Sequence, residues 1–318
     1  MHRLAALAGV LAALVLPGSA WPAAGTTFPP GFPVITDASL GVPVIGFGGA
    51  GRVTRTPVIL LHGNNDTPFP TACNPFGDVQ ALADHLLANG YRPSEVWALG
   101  YQGDQCDLLA DQTRRSAFAH STVANVPDVR AFVQAVLRYT GAKRVDIVGH
   151  SLGGTLAREW MRQDHAYHLV QHLVAIDSPN HGIVDCSPNP LNYFQLPMLG
   201  GFTPNSAVCL EYGAEDTPFL TDLNRKETHA PTEYLAIRNA DTSFVYFSAT
   251  DGIFAPVPAE DRTGAPHDFS RSAVLHGKRA VNVDLVGQGR YDPILGTAHL
   301  GILNSPETWS LVSEFLAD

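Results

Sequence analysis

From Pro57 onward two periods of apolar residues take turns along the chain. "PVILLHG" (57–63) is a short apolar run ending in glycine, the pattern of a strand buried on both faces. In "FGDVQALADHLLANG" (76–90), Val79, Leu82, Leu86 and Leu87 share one helical face, and Gly90 ends the helix. "EVWALGY" (95–101) reads as a strand again. "NVPDVRAFVQAVLRYTG" (125–141) holds the clearest helical period: Val129, Phe132, Val133, Val136 and Leu137, with Asn125 as N-cap, Pro127 in the first turn and Gly141 as the stop. "RVDIVG" (144–149) predicts a strand and residues 152–164 a helix. "HLVAID" (172–177), "TSFVYFSA" (242–249) and "AVNVDLVG" (280–287) predict further strands. "SPETWSLVSEFLA" (305–317) closes the chain as a helix opened by Ser305 and Pro306.

Strands alternating with helices predict an α/β fold. Its sheet should be mostly parallel and doubly wound, with about six strands and helices on both faces. Two stretches break the alternation. Residues 21–56 are rich in Gly, Pro and Thr and read as an irregular entry segment. Within it "GFGGAG" (46–51) spells a dinucleotide fingerprint, but strand or loop residues follow where a helix must open, so we discount it. Residues 178–232, after the strand ending near Asp177, form a Pro- and Asn-rich insertion. Excursions of this length inside a compact domain usually serve as a lid or binding loop. The expected organisation is therefore a leader over 1–20, the irregular segment over 21–56, and one domain over 57–318 carrying insertion 178–232.

The leader changes the compartment. "MHRLAALAGVLAALVLPGSA" has a basic Arg3, an apolar run from Leu4 to Leu16 and a small-residue site at Gly18-Ser19-Ala20, as secretory signal peptides do. The apolar run is shorter than the ~20 residues a membrane span needs. No later segment is long and apolar enough to span. The sequence thus predicts a secreted protein, extracellular or periplasmic, cleaved near Ala20. Secretion gives the four cysteines, Cys73, Cys106, Cys186 and Cys209, a disulfide reading with three possible connectivities. We favour Cys73–Cys106 and Cys186–Cys209, each closing a loop worth about 3–4 kcal/mol in the chain-entropy model. No cysteine pair has metal-ligand spacing, and no metal or cofactor is expected. A net charge of −10 without any basic run argues against nucleic acid as a partner.

The chemistry centres on "RVDIVGHSLGGTLAREW" (144–160). Gly149, His150, Ser151, Leu152 and Gly153 spell G-x-S-x-G between a strand and a helix. A serine on that turn sits in strained backbone, with glycines letting neighbouring chain pass close. Its hydroxyl stands above the carboxyl edge of the sheet, over the positive end of a helix. Serine is a weak nucleophile and needs a base oriented by an acid, in the chain order Ser, acid, His. His299 in "GTAHLGILNSPETW" follows the last strand among small neighbours and suits the base. His276 and His267 read as solvated surface. The acid has two candidates. Asp251 in "VYFSATDGIFAP" follows a strand and abuts Gly252, and we prefer it. Asp177 in "VAIDSPNHG" ends a strand one unit earlier and is the alternative. The oxyanion donors should be the N–H of Leu152 and that of Asn64 in "LHGNN" (61–65). His62 and His150 suit a structural role, hydrogen-bonding the loops that hold these turns.

"VILLHGNN", "VDIVGHSLGG", "FSATDGIFAP" and "GTAHLGILNSPE", in that order, resemble secreted minimal α/β-hydrolase lipases of the Bacillus type, over residues 57–318. The resemblance implies the α/β-hydrolase fold, a Ser151/Asp251/His299 triad with Asn64 and Leu152 as oxyanion donors, and carboxylic-ester hydrolysis through an acyl-enzyme without cofactor or metal. It also implies interfacial contact with lipid aggregates or polymer. The minimal lipases lack insertion 178–232, where Phe194, Leu196, Met198, Leu199 and Phe202 could form an apolar lid or polymer-binding surface. Polyhydroxybutyrate depolymerases are similar in core and also carry added loops, so a polyester depolymerase is the alternative. A non-catalytic secreted binding protein on the same fold is the reading from another class.

Overall fold

The computed structural model describes residues 28–33, 45–74, 77, 79–101, 103–104, 106, 120–190, 195, 200–240, 260–286 and 298–317. Seven strands form one sheet: β1 (Ile45–Phe47), β2 (Val58–Leu61), β3 (Val96–Gly100), β4 (Val145–His150), β5 (Val170–Ile176), β6 (Glu233–Asn239) and β7 (Ala280–Leu285). Their order is β1-β3-β2-β4-β5-β6-β7. The pairing of β1 with β3 is antiparallel; the other five pairings are parallel.

Every residue of β2, β3 and β4 is buried, because helices cover both faces. The period of two sorts the side chains between two cores. Ile59, Leu61, Ile147 and Leu173 pack with Phe132, Val136, Leu156 and Trp160 from α2 (Thr122–Thr140) and α3 (Leu152–Gln163). Val58, Leu60, Val148 and Val174 pack on the other face. They meet Leu82 and Leu86 of α1 (Gln80–Ala88), Ile302 of α6 (Ala298–Leu303) and Val312 of α7 (Pro306–Phe315).

The structure departs from the sequence pattern in instructive ways. Strand β6 follows directly on insertion 178–232, in a stretch to which the sequence pattern assigned no element. Its charged ends, Glu233 and Arg238, hide the alternation of a strand whose middle, Tyr234 to Ile237, is buried. The strand expected at 242–249 lies outside the described residues. Strand β1 rises from the Gly-rich entry segment, where Gly46 lies so close to β3 that a Cβ there would meet the Ala98 carbonyl at 2.2 Å. Helix α2 starts at Thr122, before the expected cap Asn125, and Pro127 sits inside it. The cause is tertiary. The buried carboxylate of Glu211 accepts the N–H of Thr122 (2.7 Å) and of Val123 (3.2 Å) and the hydroxyl of Ser121 (2.5 Å). Those amides would otherwise be unpaired at a buried helix end. Gly141 ends the helix in left-handed conformation, φ 71°.

Glu211 belongs to the insertion. Both disulfides favoured from the sequence are present, Cys73–Cys106 and Cys186–Cys209. The second ties residues 184–186 to α4 (Ala207–Tyr212). With α5 (Pro218–Leu223), these pieces build a small third core from Ile183, Val184, Val208, Tyr212, Leu220 and Leu223. Leu152, the first residue of α3, joins this core, and so does Phe202, one of the five apolar residues assigned to a lid or polymer-binding surface. Phe194, Leu196, Met198 and Leu199 lie outside the described residues. The Tyr212 hydroxyl donates to Thr155 Oγ1 at 2.8 Å, so α4 is bound to both α2 and α3.

Candidate active site

Parallel register brings the ends of β4 and β5 to one level beside β6. His150 pairs with Ile176, and Ile176 with Ile237, so Ser151 and Asp177 leave the sheet side by side next to Arg238, while β6 runs on to Asn239. Two hydrogen bonds continue the ladder past the strands: Ser151 N–H to Ile176 O (2.9 Å) and Asp177 N–H to Ile237 O (2.7 Å).

Both residues bend sharply there. Ser151 has φ 51° and ψ −125°, and Asp177 has φ 44°, values that non-glycine residues avoid. The glycines around Ser151 make its turn possible. A Cβ on Gly149 would lie 2.4 Å from Gly154 N, and one on Gly153 would lie 2.4 Å from the Leu61 carbonyl. The turn therefore fits only if helix, strand and the loop after β2 touch backbone to backbone. Ser151 is 4% exposed, at the N-terminus of α3, where the helix dipole favours negative charge.

His299 lies in the first turn of α6. Its Nδ1 stands 2.7 Å from Asp177 Oδ2, and both side chains are almost fully buried. The other oxygen, Oδ1, accepts the backbone N–H of Asn239 at 3.1 Å, so β6 holds the carboxylate toward the histidine. His150 donates from Nε2 to the His299 carbonyl at 3.0 Å, and the two rings lie 4.6 Å apart. This is the loop-holding role expected of His150. The favoured acid Asp251 lies outside the described residues; the carboxylate brought to His299 is that of the alternative, Asp177.

The loop after β2 is held with similar economy. The His62 ring stacks on Tyr101 at 4.1 Å and donates from Nδ1 to the Gly63 carbonyl (2.7 Å), while Tyr101 OH donates to the His62 carbonyl (2.7 Å). Asn64 accepts from His120 Nδ1 (2.7 Å) at its side-chain oxygen. Its side-chain nitrogen donates to the Gly200 carbonyl (3.1 Å). The Asn64 side chain thus pins its loop to the start of α2 and to the insertion. Leu152, the other expected oxyanion residue, is buried directly after Ser151.

Sequence reasoning preferred Asp251 because it follows a strand and abuts Gly252, and kept Asp177 as the alternative. The local signal for Asp177 lies in register: strands β4 and β5 end in GHS and AID at the same level. The roles of Glu211, His120 and Asn239 had no local signal, since each partner is distant in sequence.

Solved structures share the fold at low identity. Aspergillus fumigatus lipase B superposes with a TM-score of 0.53 at 16% identity over 86% of this chain and 56% of that one. The lipase BlEst2 of Bacillus licheniformis in mature form gives 0.55 at 17% identity, over 86% of this chain and 97% of that one. Its propeptide form gives 0.54 at 16% identity, over 86% and 53%. This chain therefore spans only about half the length of the first and third of these proteins. The model of the family described as "Lipase (class 2)" matches residues 55–264, well over half of the chain and a span holding Ser151, Asp177 and all four cysteines. On that match, the protein belongs to the class 2 lipase family.

Proposed function

We propose that the protein is a secreted serine hydrolase of carboxylic esters, with Ser151 as nucleophile, His299 as base and Asp177 as orienting acid. The observation that carries this reading is the buried 2.7 Å contact between His299 Nδ1 and Asp177 Oδ2, one strand away from the strained turn of Ser151. With its Nδ1 proton directed at the carboxylate, His299 presents Nε2 as its basic nitrogen. Ser151 Oγ attacks the ester carbonyl carbon as its proton passes to Nε2. The N–H groups of Leu152 and Asn64 hold the oxyanion. The carbonyl re-forms, the ester C–O bond breaks, and Nε2 gives its proton to the leaving alcohol. Water then attacks the acyl-enzyme, again losing its proton to Nε2. That proton returns to Ser151 as the carboxylic acid leaves.

Ser151→Ala tests the reading. With short-chain p-nitrophenyl esters, kcat should fall by about 10⁴–10⁶-fold, and labelling by a fluorophosphonate should disappear. Turnover near that of the parent protein would sink the assignment. Lipid esters are the substrate class that the family membership supports. Turnover of emulsified triglyceride against a polyhydroxyalkanoate film separates it from the polyester reading. Secretion is supported by the leader pattern and the two disulfides. N-terminal sequencing of protein from the culture medium should begin near residue 21.

A further inference from the structure

Four residues past Asp177 the chain enters a cluster that ester hydrolysis does not use. His181, Glu227 and His276 each offer a ligand atom, and these atoms lie within 4.8 Å of one another. They come from distant places: the first turn of the insertion, its last turn, and the loop before β7. His276 Nδ1 stands 3.0 Å from Glu227 Oε1, and His181 Nε2 stands 3.5 Å from Glu227 Oε2. On its other side, His181 Nδ1 faces Glu215 Oε1 at 3.4 Å.

A neutral imidazole cannot satisfy that setting. It has one N–H and one lone pair, and His181 meets a carboxylate at both nitrogens. If Nδ1 carries the proton toward Glu215, the lone pair of Nε2 points at the oxygen of Glu227. The Nε2 atom is buried and makes no hydrogen bond of acceptable geometry. A second ring proton would resolve the conflict, and so does a divalent cation between the three ligands, which engages His276 as well. The cation takes the Nε2 lone pair and the Glu227 carboxylate together, and Glu215 accepts the Nδ1 proton. A carboxylate behind a ligating histidine is the usual support of such a ligand.

We propose that His181, Glu227 and His276 form a zinc site, with Glu215 orienting His181 and water as the fourth tetrahedral ligand. Two imidazole nitrogens and one carboxylate suit Zn²⁺, whereas Ca²⁺ and Mg²⁺ take oxygen ligands. Tetrahedral Zn²⁺ with bonds of about 2.0–2.1 Å sets its ligands about 3.3 Å apart. The two contacts to Glu227 straddle that value. The 67% exposed side chain of His276 can move to complete the set. The metal closes both ends of the insertion onto the loop before β7. That loop already holds His181 through its N–H to the Ser272 carbonyl (3.1 Å). The site needs no assumption about the catalytic residues.

The full-length mature protein, stripped with EDTA and titrated with ZnCl₂, tests the site by calorimetry and by metal analysis after buffer exchange. We expect one Zn²⁺ per chain and a higher thermal midpoint, with no such gain from CaCl₂. His276→Ala removes an exposed side chain and should leave the protein folded while weakening zinc binding at least tenfold, as should Glu227→Gln. Glu215→Gln should weaken it about tenfold, the usual effect of losing an outer partner. Bound Co²⁺ should show the visible absorption of a tetrahedral site and lose it in His276→Ala. The proposal is overturned if the parent protein retains no zinc, or if His276→Ala and Glu227→Gln bind it as the parent does. The second outcome would place the metal elsewhere.

Discussion

His299 Nδ1 and Asp177 Oδ2 meet at 2.7 Å across 122 residues of chain. The contact joins the end of β5 to the first turn of α6, and the N–H of Asn239 aims the carboxylate. Asp177→Asn should therefore leave the protein folded but lower kcat about 10³–10⁴-fold, because the amide no longer fixes the His299 tautomer. Asp251→Asn should retain most activity. Parallel kinetics on p-nitrophenyl butyrate decide between them; the reverse pattern would return the acid to Asp251.

Glu211 is the buried cap of α2. Burial raises its pKa, while bonds from Ser121, Thr122 and Val123 act in the opposite direction. Glu211→Ala leaves those groups without their acceptor and should cost about 2–4 kcal/mol. Glu211→Gln keeps an acceptor oxygen and should cost less. Chemical denaturation of both variants measures the difference. Equal losses would mean that packing outweighs capping.

Arg130 joins α2 to α3 by donating from Nε and Nη2 to the two oxygens of Asp164, both at 2.6 Å. The Arg130 hydrogen bonds hold the Asp164 pKa below its ordinary 3.8. A carboxylate with a lowered folded pKa stabilises the protein above its unfolded pKa, and the gain is lost as pH falls through the folded value. Asp164→Asn should thus cost about 1 kcal/mol at pH 7, as partly exposed pairs do. The difference should shrink below pH 4. Thermal midpoints of both proteins from pH 7 to pH 3 check the sign.

Gly153 lies where α3 packs against the end of β2 and the loop that follows it. Gly153→Ala sets a methyl against the Leu61 and His62 carbonyls, at 2.4 and 2.6 Å in the unrelaxed structure. Backbone must shift, at about 1–3 kcal/mol, and the shift moves the loop that bears Asn64. We expect lower kcat with little change in KM, since the oxyanion donors act on the transition state. A change confined to KM would assign that loop to substrate binding instead.

Much of the architecture was legible in the chain. A period of two or three to four residues reports which side of an element is dry, and that information is local. It placed β2 to β5, β7 and helices α1, α2, α3 and α7 within a few residues. The glycines around Ser151 and the leader-linked cysteine pairs are local as well. Strand β6 escaped because Glu233 and Arg238 cap an apolar core of only four residues.

Other features were set by meetings that no local pattern encodes. Asp177 faces His299 because β4 and β5 end at one level and β6, running on to Asn239, turns the carboxylate toward the histidine. Helix α2 begins at Thr122 because Glu211 arrives from the insertion. His181, dispersed in sequence from Glu227 and His276, joins them only when the insertion closes on β7's approach. Periodicity follows from each residue's own burial, so the sequence by itself determined most of the sheet, four of the helices and the glycine-flanked turn at Ser151. Pairing a carboxylate with an imidazole depends on register and on loop paths between distant segments. Only the tertiary structure decided which carboxylate His299 meets and which groups surround His181.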